Sequence, residues 1–313
     1  MSVLLVSTVS SEPFARRLGA ALGVPLSRVD RQDFPDGEHY LRFDVGERLA
    51  LLNQDVVLVA ATENAESIDE VYRLGCAAVK NGARTLVLVL PYFGYSTMER
   101  ATKPGEVVSA KTVARQLSAI PRASGGTWVL LMDLHATGIV HYFEGDIVPL
   151  ELYAEPKIVE AIQALRLPSL CLASTDMGRA KWVEAFANRF DAPVALIHKK
   201  RLSGSQTRIS AVVGDVAGRN VVIYDDMIRT GGSLVQAAKA YRQAGAASVH
   251  ALTTHLVLPP GSIEKLEAAP LARVIGTDTH PNHRLVEGRP RFEVVSVADI
   301  FADVVRRLVE CPA

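Results

Sequence analysis

Two adjacent carboxylates, Asp225 and Asp226, are separated by three residues from Thr230-Gly231-Gly232-Ser233. A short apolar run, Val221-Val222-Ile223, leads into the acids, and the pattern Leu234, Ala237, Ala238, Tyr241 after the glycines has helical spacing. The order is therefore a strand ending in an acidic tip, then a loop, then a helix N-terminus. Backbone N–H groups at such an N-terminus lack internal partners and the peptide dipoles add positive potential there. Glycines that admit an anion, flanked by hydroxyls, suit a phosphate. The acid pair suits ribose hydroxyls or Mg²⁺. The plainer alternative is a buried strand whose acids cap the next helix. Arg229, just before the hydroxyl-glycine turn, either adds a phosphate contact or points into solvent.

Other stretches carry chemistry of the same kind. Asp133 and His135, two residues apart in an extended segment, point the same way, where a metal or phosphate could meet both. Asp176 follows another apolar run, and Arg179 and Lys181 open the next helix. A cation at a helix start opposes the dipole, so Lys181 needs some other reason to be there. The basic stretch 199–206, rich in Ser and Gly, reads as a solvated loop or as a mobile catalytic flap. Residues 96–106 form a long polar loop of mixed charge, of a length that is either functional or mobile.

These groups need a scaffold that brings strand ends together. Strands are expected at 3–6, 55–60, 85–90, 128–132, 170–173, 195–198, 247–253, 271–275 and 292–297. Helices are expected at 11–21, 67–79, 107–117, 155–165, 262–268 and from 299 onward. The runs at 55–60 and 85–90 are apolar without alternation, as in parallel strands covered by helices on both faces. Ligands in such α/β sheets bind beyond the carboxyl ends of the strands, so site residues are expected from Tyr92 onward. Around Pro35-Asp36-Gly37, the alternation of Tyr40, Arg42 and Asp44 predicts a hairpin. Asn81-Gly82-Ala83 and Ala244-Gly245-Ala246 each close a helix and launch a strand, about half a chain apart, as a duplicated domain would. The expected division is 1–148 and 149–298, with the helix at 299–313 returning to the first domain.

At 313 residues the chain suits two domains of ordinary size. Lys plus Arg and Asp plus Glu number 34 each, so no basic excess argues for nucleic acid or a membrane surface. A small substrate is expected. Cys76, Cys171 and Cys311 show no paired spacing, which reads as reduced thiols in a cytoplasmic protein. The opening apolar run is too short for a signal peptide or a membrane span.

Several ordered motifs together resemble the ribose-phosphate diphosphokinases, over essentially the whole chain. They are Phe34-Pro35-Asp36-Gly37-Glu38, Pro91-Tyr92-Phe93-Gly94-Tyr95, Ser109-Ala110-Lys111, Asp133-Leu134-His135-Ala136, Asp176-Met177-Gly178, Gly214-Asp215-Val216 and the acid pair with its loop. The resemblance implies two tandem phosphoribosyltransferase-like α/β domains, each a mostly parallel sheet flanked by helices. It also implies transfer of a diphosphoryl group from Mg-ATP to ribose 5-phosphate. By resemblance, Asp225, Asp226, Thr230, Gly231, Gly232 and Ser233 hold ribose 5-phosphate, with Arg229 beside them as a candidate further contact, and His135 and Asp176 bind the metal of Mg-ATP. Lys181, His135 and Arg179 are the expected catalytic groups. Phe34, Asp36 and Glu38, on a hairpin reaching a neighbouring subunit of a homo-oligomer, join Thr97, Met98, Glu99, Arg100 and His135 in binding ATP.

The departures from that pattern are specific. Common members carry Arg-Gln-Asp after Gly-Tyr, a second basic residue beside the lysine at the base of the catalytic flap that Lys181 matches, and an acid in the phosphate loop. Here Thr97-Met98-Glu99, Trp182 and Arg229 occupy those places. These features resemble the plant-type class II enzymes, which implies a relaxed choice of nucleotide donor and independence from phosphate activation. The competing readings are a non-catalytic regulatory relative and a phosphoribosyltransferase that consumes the diphosphate.

Overall fold

The central strands of this chain are apolar on both faces and run parallel to their neighbours. The computed structural model describes residues 3–47, 49–203 and 206–310, with the backbone alone for 200–203, 206–210 and 310. Among these the chain divides into two compact units, one of residues 3–154, 279–281 and 296–310, the other Glu155–Asp278 with Asn282–Val295.

The first unit holds a five-stranded parallel sheet in the order β1 (Val3–Ser7), β4 (Asp55–Val59), β5 (Thr85–Leu90), β6 (Thr127–Met132), β7 (Ile147–Leu152). Every residue of β4 and β5 is buried, as strands between helical layers must be. The covering helices are α1 (Glu12–Leu22), α2 (Ala65–Lys80), α3 (Ser109–Ser118) and the last helix, α8 (Ala298–Glu310). The return of α8 to this unit is anchored by an edge-to-face contact of Phe14 with Phe301 at 5.6 Å. The hairpin forms as a separate two-stranded sheet of β2 (Val29–Asp33) and β3 (His39–Phe43), turning through Phe34–Glu38.

The second unit is a seven-stranded sheet in the order β10 (Gln206–Val213), β9 (Val194–Ser203), β8 (Leu170–Ala173), β11 (Asn220–Ile228), β12 (Ser248–Leu256), β13 (Arg273–Thr277), β14 (Phe292–Val295). All neighbours are parallel except β9 and β10. Its helices are α4 (Glu155–Ala164), α5 (Ala180–Arg189), α6 (Gly232–Gln243) and α7 (Ser262–Glu267). The apolar face expected on α6, namely Leu234, Ala237, Ala238 and Tyr241, is buried in this unit's core.

The structure differs from the sequence expectation in three places. First, β11 does not end at the acids; it continues to Ile228, because β12 runs alongside as far as Leu256 and partners the residues beyond them. Second, the basic stretch is strand up to Ser203 and again from Gln206, since antiparallel pairing of β9 with β10 satisfies its backbone. Gly204 and Ser205, its Ser/Gly centre, lie outside the described residues, as does Cys311. Third, residues 147–152 are a strand, β7, in which Pro149 is tolerated because the strand lies at the sheet edge. The expected boundary at 148 falls inside it, and the units part after Ala154. No helix among the described residues is long and apolar enough to cross a membrane.

Candidate active site

In the second unit the neighbouring parallel strands β8 and β11 open their carboxyl ends side by side. The loop after β8 carries Thr175 and Asp176, passes through a 3-10 turn (Met177–Arg179) and enters α5. This places Arg179 on the acid pair. Its Nη2 lies 2.6 Å from Oδ2 of Asp226, and its Nε 3.9 Å from Oδ1 of Asp225. Thr175 Oγ1 donates to Oδ2 of Asp225 at 3.0 Å, and the Asp226 N–H donates to Oδ1 at 3.1 Å. Burial, and then the neighbouring Asp226, push the Asp225 carboxyl up to about 7, against the pull of Arg179 and Thr175. The site thus holds two adjacent carboxyl groups served by one guanidinium. Ribose hydroxyls and a cation are the partners such a pair would take.

Beyond the acids the chain turns through Arg229 and Thr230, both exposed, into the N-terminus of α6. Gly231 has φ 73°, and a Cβ there would stand 3.1 Å from the Leu266 side chain, so both conformation and space call for glycine. Gly232 and the exposed Ser233 begin the helix. Thr230 to Ser233 therefore wrap a helix N-terminus whose N–H groups suit a phosphate.

The structure adds two residues to those singled out in the sequence. Lys199, on β9 beside β8, brings its Nζ to 4.0 Å from Oδ2 of Asp176 with its side chain mostly buried, and Oδ1 of that acid accepts the Gly178 N–H at 2.8 Å. The lone sequence signal for Lys199 was membership of a basic stretch. Tyr241, read as a core hydrophobe, donates its hydroxyl to the carbonyls of Ser174 (2.8 Å) and Ala195 (3.1 Å), tying α6 to the loop that carries Thr175. Lys181 stands exposed in the first turn of α5 and makes no hydrogen bond or ion pair among the described residues.

The first unit carries its own group of strand-end residues. After β6 the chain bends at Asp133 (φ 40°), so Asp133 and His135 do not stand on the extended segment expected from the sequence. The Leu134 N–H donates to Oε1 of Glu151 at 3.0 Å, and the Ala154 N–H donates to Oδ2 of Asp133 at 3.3 Å. After β5, Gly94 passes so close to the Thr62 carbonyl that a Cβ would fall 1.8 Å from it, and a 3-10 turn (Ser96–Met98) follows. Arg100 is exposed and pairs with Glu99 at 3.3 Å. On the hairpin turn, Asp36 accepts the Glu38 N–H at 3.1 Å, while Phe34, Asp36 and Glu38 are all exposed.

His135 belongs to the first unit and Asp176 to the second. Among the described residues no group of three or more His, Cys, Asp or Glu side chains is gathered for a metal. Asp176 offers the carboxylate oxygen a hard cation takes when it keeps several waters and uses substrate phosphates as further ligands, while His135 offers an imidazole nitrogen.

Comparison with known proteins matches residues 3–120 to the N-terminal domain of ribose phosphate pyrophosphokinase, and residues 205–312 to the phosphoribosyl synthetase-associated domain. A ribose-phosphate pyrophosphokinase from Marinomonas sp. is 33% identical, over 98% of this chain and 96% of that protein. One from Synechococcus elongatus is also 33% identical, over 98% of this chain and 90% of that protein. The crystal structure of phosphoribosylpyrophosphate synthetase from Mycobacterium smegmatis superposes with TM-score 0.85 at 26% identity, covering 99% of both chains.

Proposed function

The chain belongs to the ribose-phosphate pyrophosphokinase family, and from that premise we infer that it transfers the diphosphoryl group of Mg-ATP to the 1-hydroxyl of ribose 5-phosphate, giving 5-phosphoribosyl 1-diphosphate and AMP. The observation that carries this reading is the second unit's acid pair under Arg179, directly ahead of a glycine turn at a helix N-terminus. In the inferred reaction the O1 hydroxyl attacks the β-phosphorus, the bond from that phosphorus to the α-phosphate bridging oxygen breaks, and the hydroxyl proton leaves to solvent. Such in-line transfer asks the protein chiefly for positioning and charge neutralisation.

The roles follow the chemistry of each side chain. Asp225 and Asp226 take the ribose hydroxyls, Thr230 to Ser233 the 5-phosphate, and Arg229 stands exposed at the mouth of that loop. Asp176 of the second unit and His135 of the first are each proposed as residues that would contact the metal of Mg-ATP, whose charge would offset that of the diphosphoryl oxygens. Arg179, Arg100 and Lys181 are the sequence-derived cations for the phosphates, and Lys199 joins them because its ammonium already faces Asp176. Thr97, Met98, Glu99 and Arg100 form the nucleotide segment. Phe34 and Tyr40, 39% and 43% exposed on the hairpin, support its docking on a neighbouring copy in a homo-oligomer.

The Thr97-Met98-Glu99 segment, Trp182 and Arg229 further support a class II-type enzyme with relaxed donor choice and no need of phosphate activation. The deciding assay follows AMP release with ATP, GTP and CTP, with and without inorganic phosphate. AMP from ATP that requires both ribose 5-phosphate and Mg²⁺ is the expected result. No AMP under any condition would sink the catalytic reading in favour of a regulatory relative. Strong dependence on phosphate would sink the class II reading alone.

A further inference from the structure

Tyr142 closes the 3-10 turn (Thr137–Tyr142) that begins two residues after His135. Its hydroxyl donates to the Glu99 carbonyl at 2.5 Å, across 43 residues of sequence. Lys111 of α3 stacks its ammonium 5.9 Å from the ring centroid on the same side chain. The next residue, Phe143, packs its ring 5.9 Å from Phe93, at the start of the nucleotide segment. Ile139, fully buried in the middle of the turn, pins it to the core of this unit.

The segment 96–100 is thus held at both ends. At its start, Gly94 donates its N–H to Thr62 Oγ1 at 2.8 Å and sits against the Thr62 carbonyl. At its far end the Tyr142 hydroxyl ties down the Glu99 carbonyl, between the exposed Met98 and Arg100. One short turn therefore joins His135 to the backbone of Glu99.

We propose that Tyr142 is a positioning residue that sets affinity for the nucleotide donor, by locking the Glu99 backbone to the turn that follows His135. This rests on the reading that residues 97–100 and His135 contact ATP. Removing the hydroxyl leaves the ring packing and the cation–π contact in place, and frees the segment's far end.

The test is Tyr142→Phe in the full-length protein. A single net hydrogen bond corresponds to a change of about 2- to 10-fold in affinity. The expected result is a KM for ATP raised about threefold or more, with kcat and the KM for ribose 5-phosphate within about twofold of wild type. Titration calorimetry with a non-hydrolysable Mg-ATP analogue should show the same loss. A KM for ATP and an analogue affinity both within about 1.5-fold of wild type would overturn the proposal. So would a drop in melting temperature and kcat with the KM for ATP unmoved, the mark of a merely structural residue. Wild-type protein that forms no AMP from ATP and ribose 5-phosphate would instead remove the underlying reading, before any variant is compared.

Discussion

Arg179 sets its guanidinium 2.6 Å from Asp226 and 3.9 Å from Asp225, so one cation from the loop after β8 governs both carboxylates of β11. The side chains of Arg179 and Asp226 retain only 16% and 8% of their exposure. A pair this enclosed costs far more to break than a surface ion pair.

Arg179→Ala should therefore destabilise the protein by about 2–4 kcal/mol in urea unfolding, since it leaves two adjacent carboxylates without their cation. Mg²⁺ with ribose 5-phosphate should restore part of that loss, and AMP formation should fall at least about tenfold. A melt indistinguishable from wild type would show that the pair is not structurally significant.

Asp225 carries a pH signature. Its carboxyl is raised to about 7 in the native state, while an unfolded aspartate titrates near its ordinary value of about 4. Between those values the native state holds a proton that the unfolded chain does not. The contribution of Asp225 to stability thus grows as pH falls from about 7 to about 4, and above 7 the ionised group is a liability. Asp225→Asn should flatten that slope and raise Tm at pH 8 by about 2 °C or more, while turnover drops by about 100-fold or more. A lower Tm at pH 8 would contradict the assignment.

The two lysines near the loop after β8 make unequal predictions. Lys199, partly buried and 4.0 Å from Asp176, should lose at least about tenfold in kcat on substitution by alanine, about 1.4 kcal/mol of transition-state stabilisation. Lys181→Ala, at an exposed helix start, should lose less. Steady-state kinetics of the two variants side by side would reveal a reversed order, and with it Lys181 as the cation at the transferred group.

Gly231→Ala forces a side chain into positive φ with its Cβ 3.1 Å from Leu266. The expected cost is about 1–2 kcal/mol in stability, with a raised KM for ribose 5-phosphate and an unchanged KM for ATP. A rise confined to the KM for ATP would place the sugar phosphate elsewhere.

Much of this was legible in the residues themselves. Unalternating apolar runs such as Val56 to Val59 and Leu86 to Leu90 already meant parallel strands under helices, because only burial on both faces tolerates them. The acid pair, the Thr-Gly-Gly-Ser turn and the apolar face of α6 were legible as a strand, a loop and a helix N-terminus because each depends on local spacing. What depended on pairing between distant segments was not legible. The extension of β11 past its acids follows from β12 alongside it, and β7 forms despite Pro149 because it lies at an edge. Likewise, the neighbouring placement of β8, β9 and β11 decided that Arg179 meets Asp226, that Lys199 meets Asp176, and that the Tyr241 hydroxyl reaches Ser174. Sequence spacing carries the period of a strand or helix and the chemistry of its tip. The partner that each tip meets is set by strand order, a property of the whole sheet, which no single segment encodes.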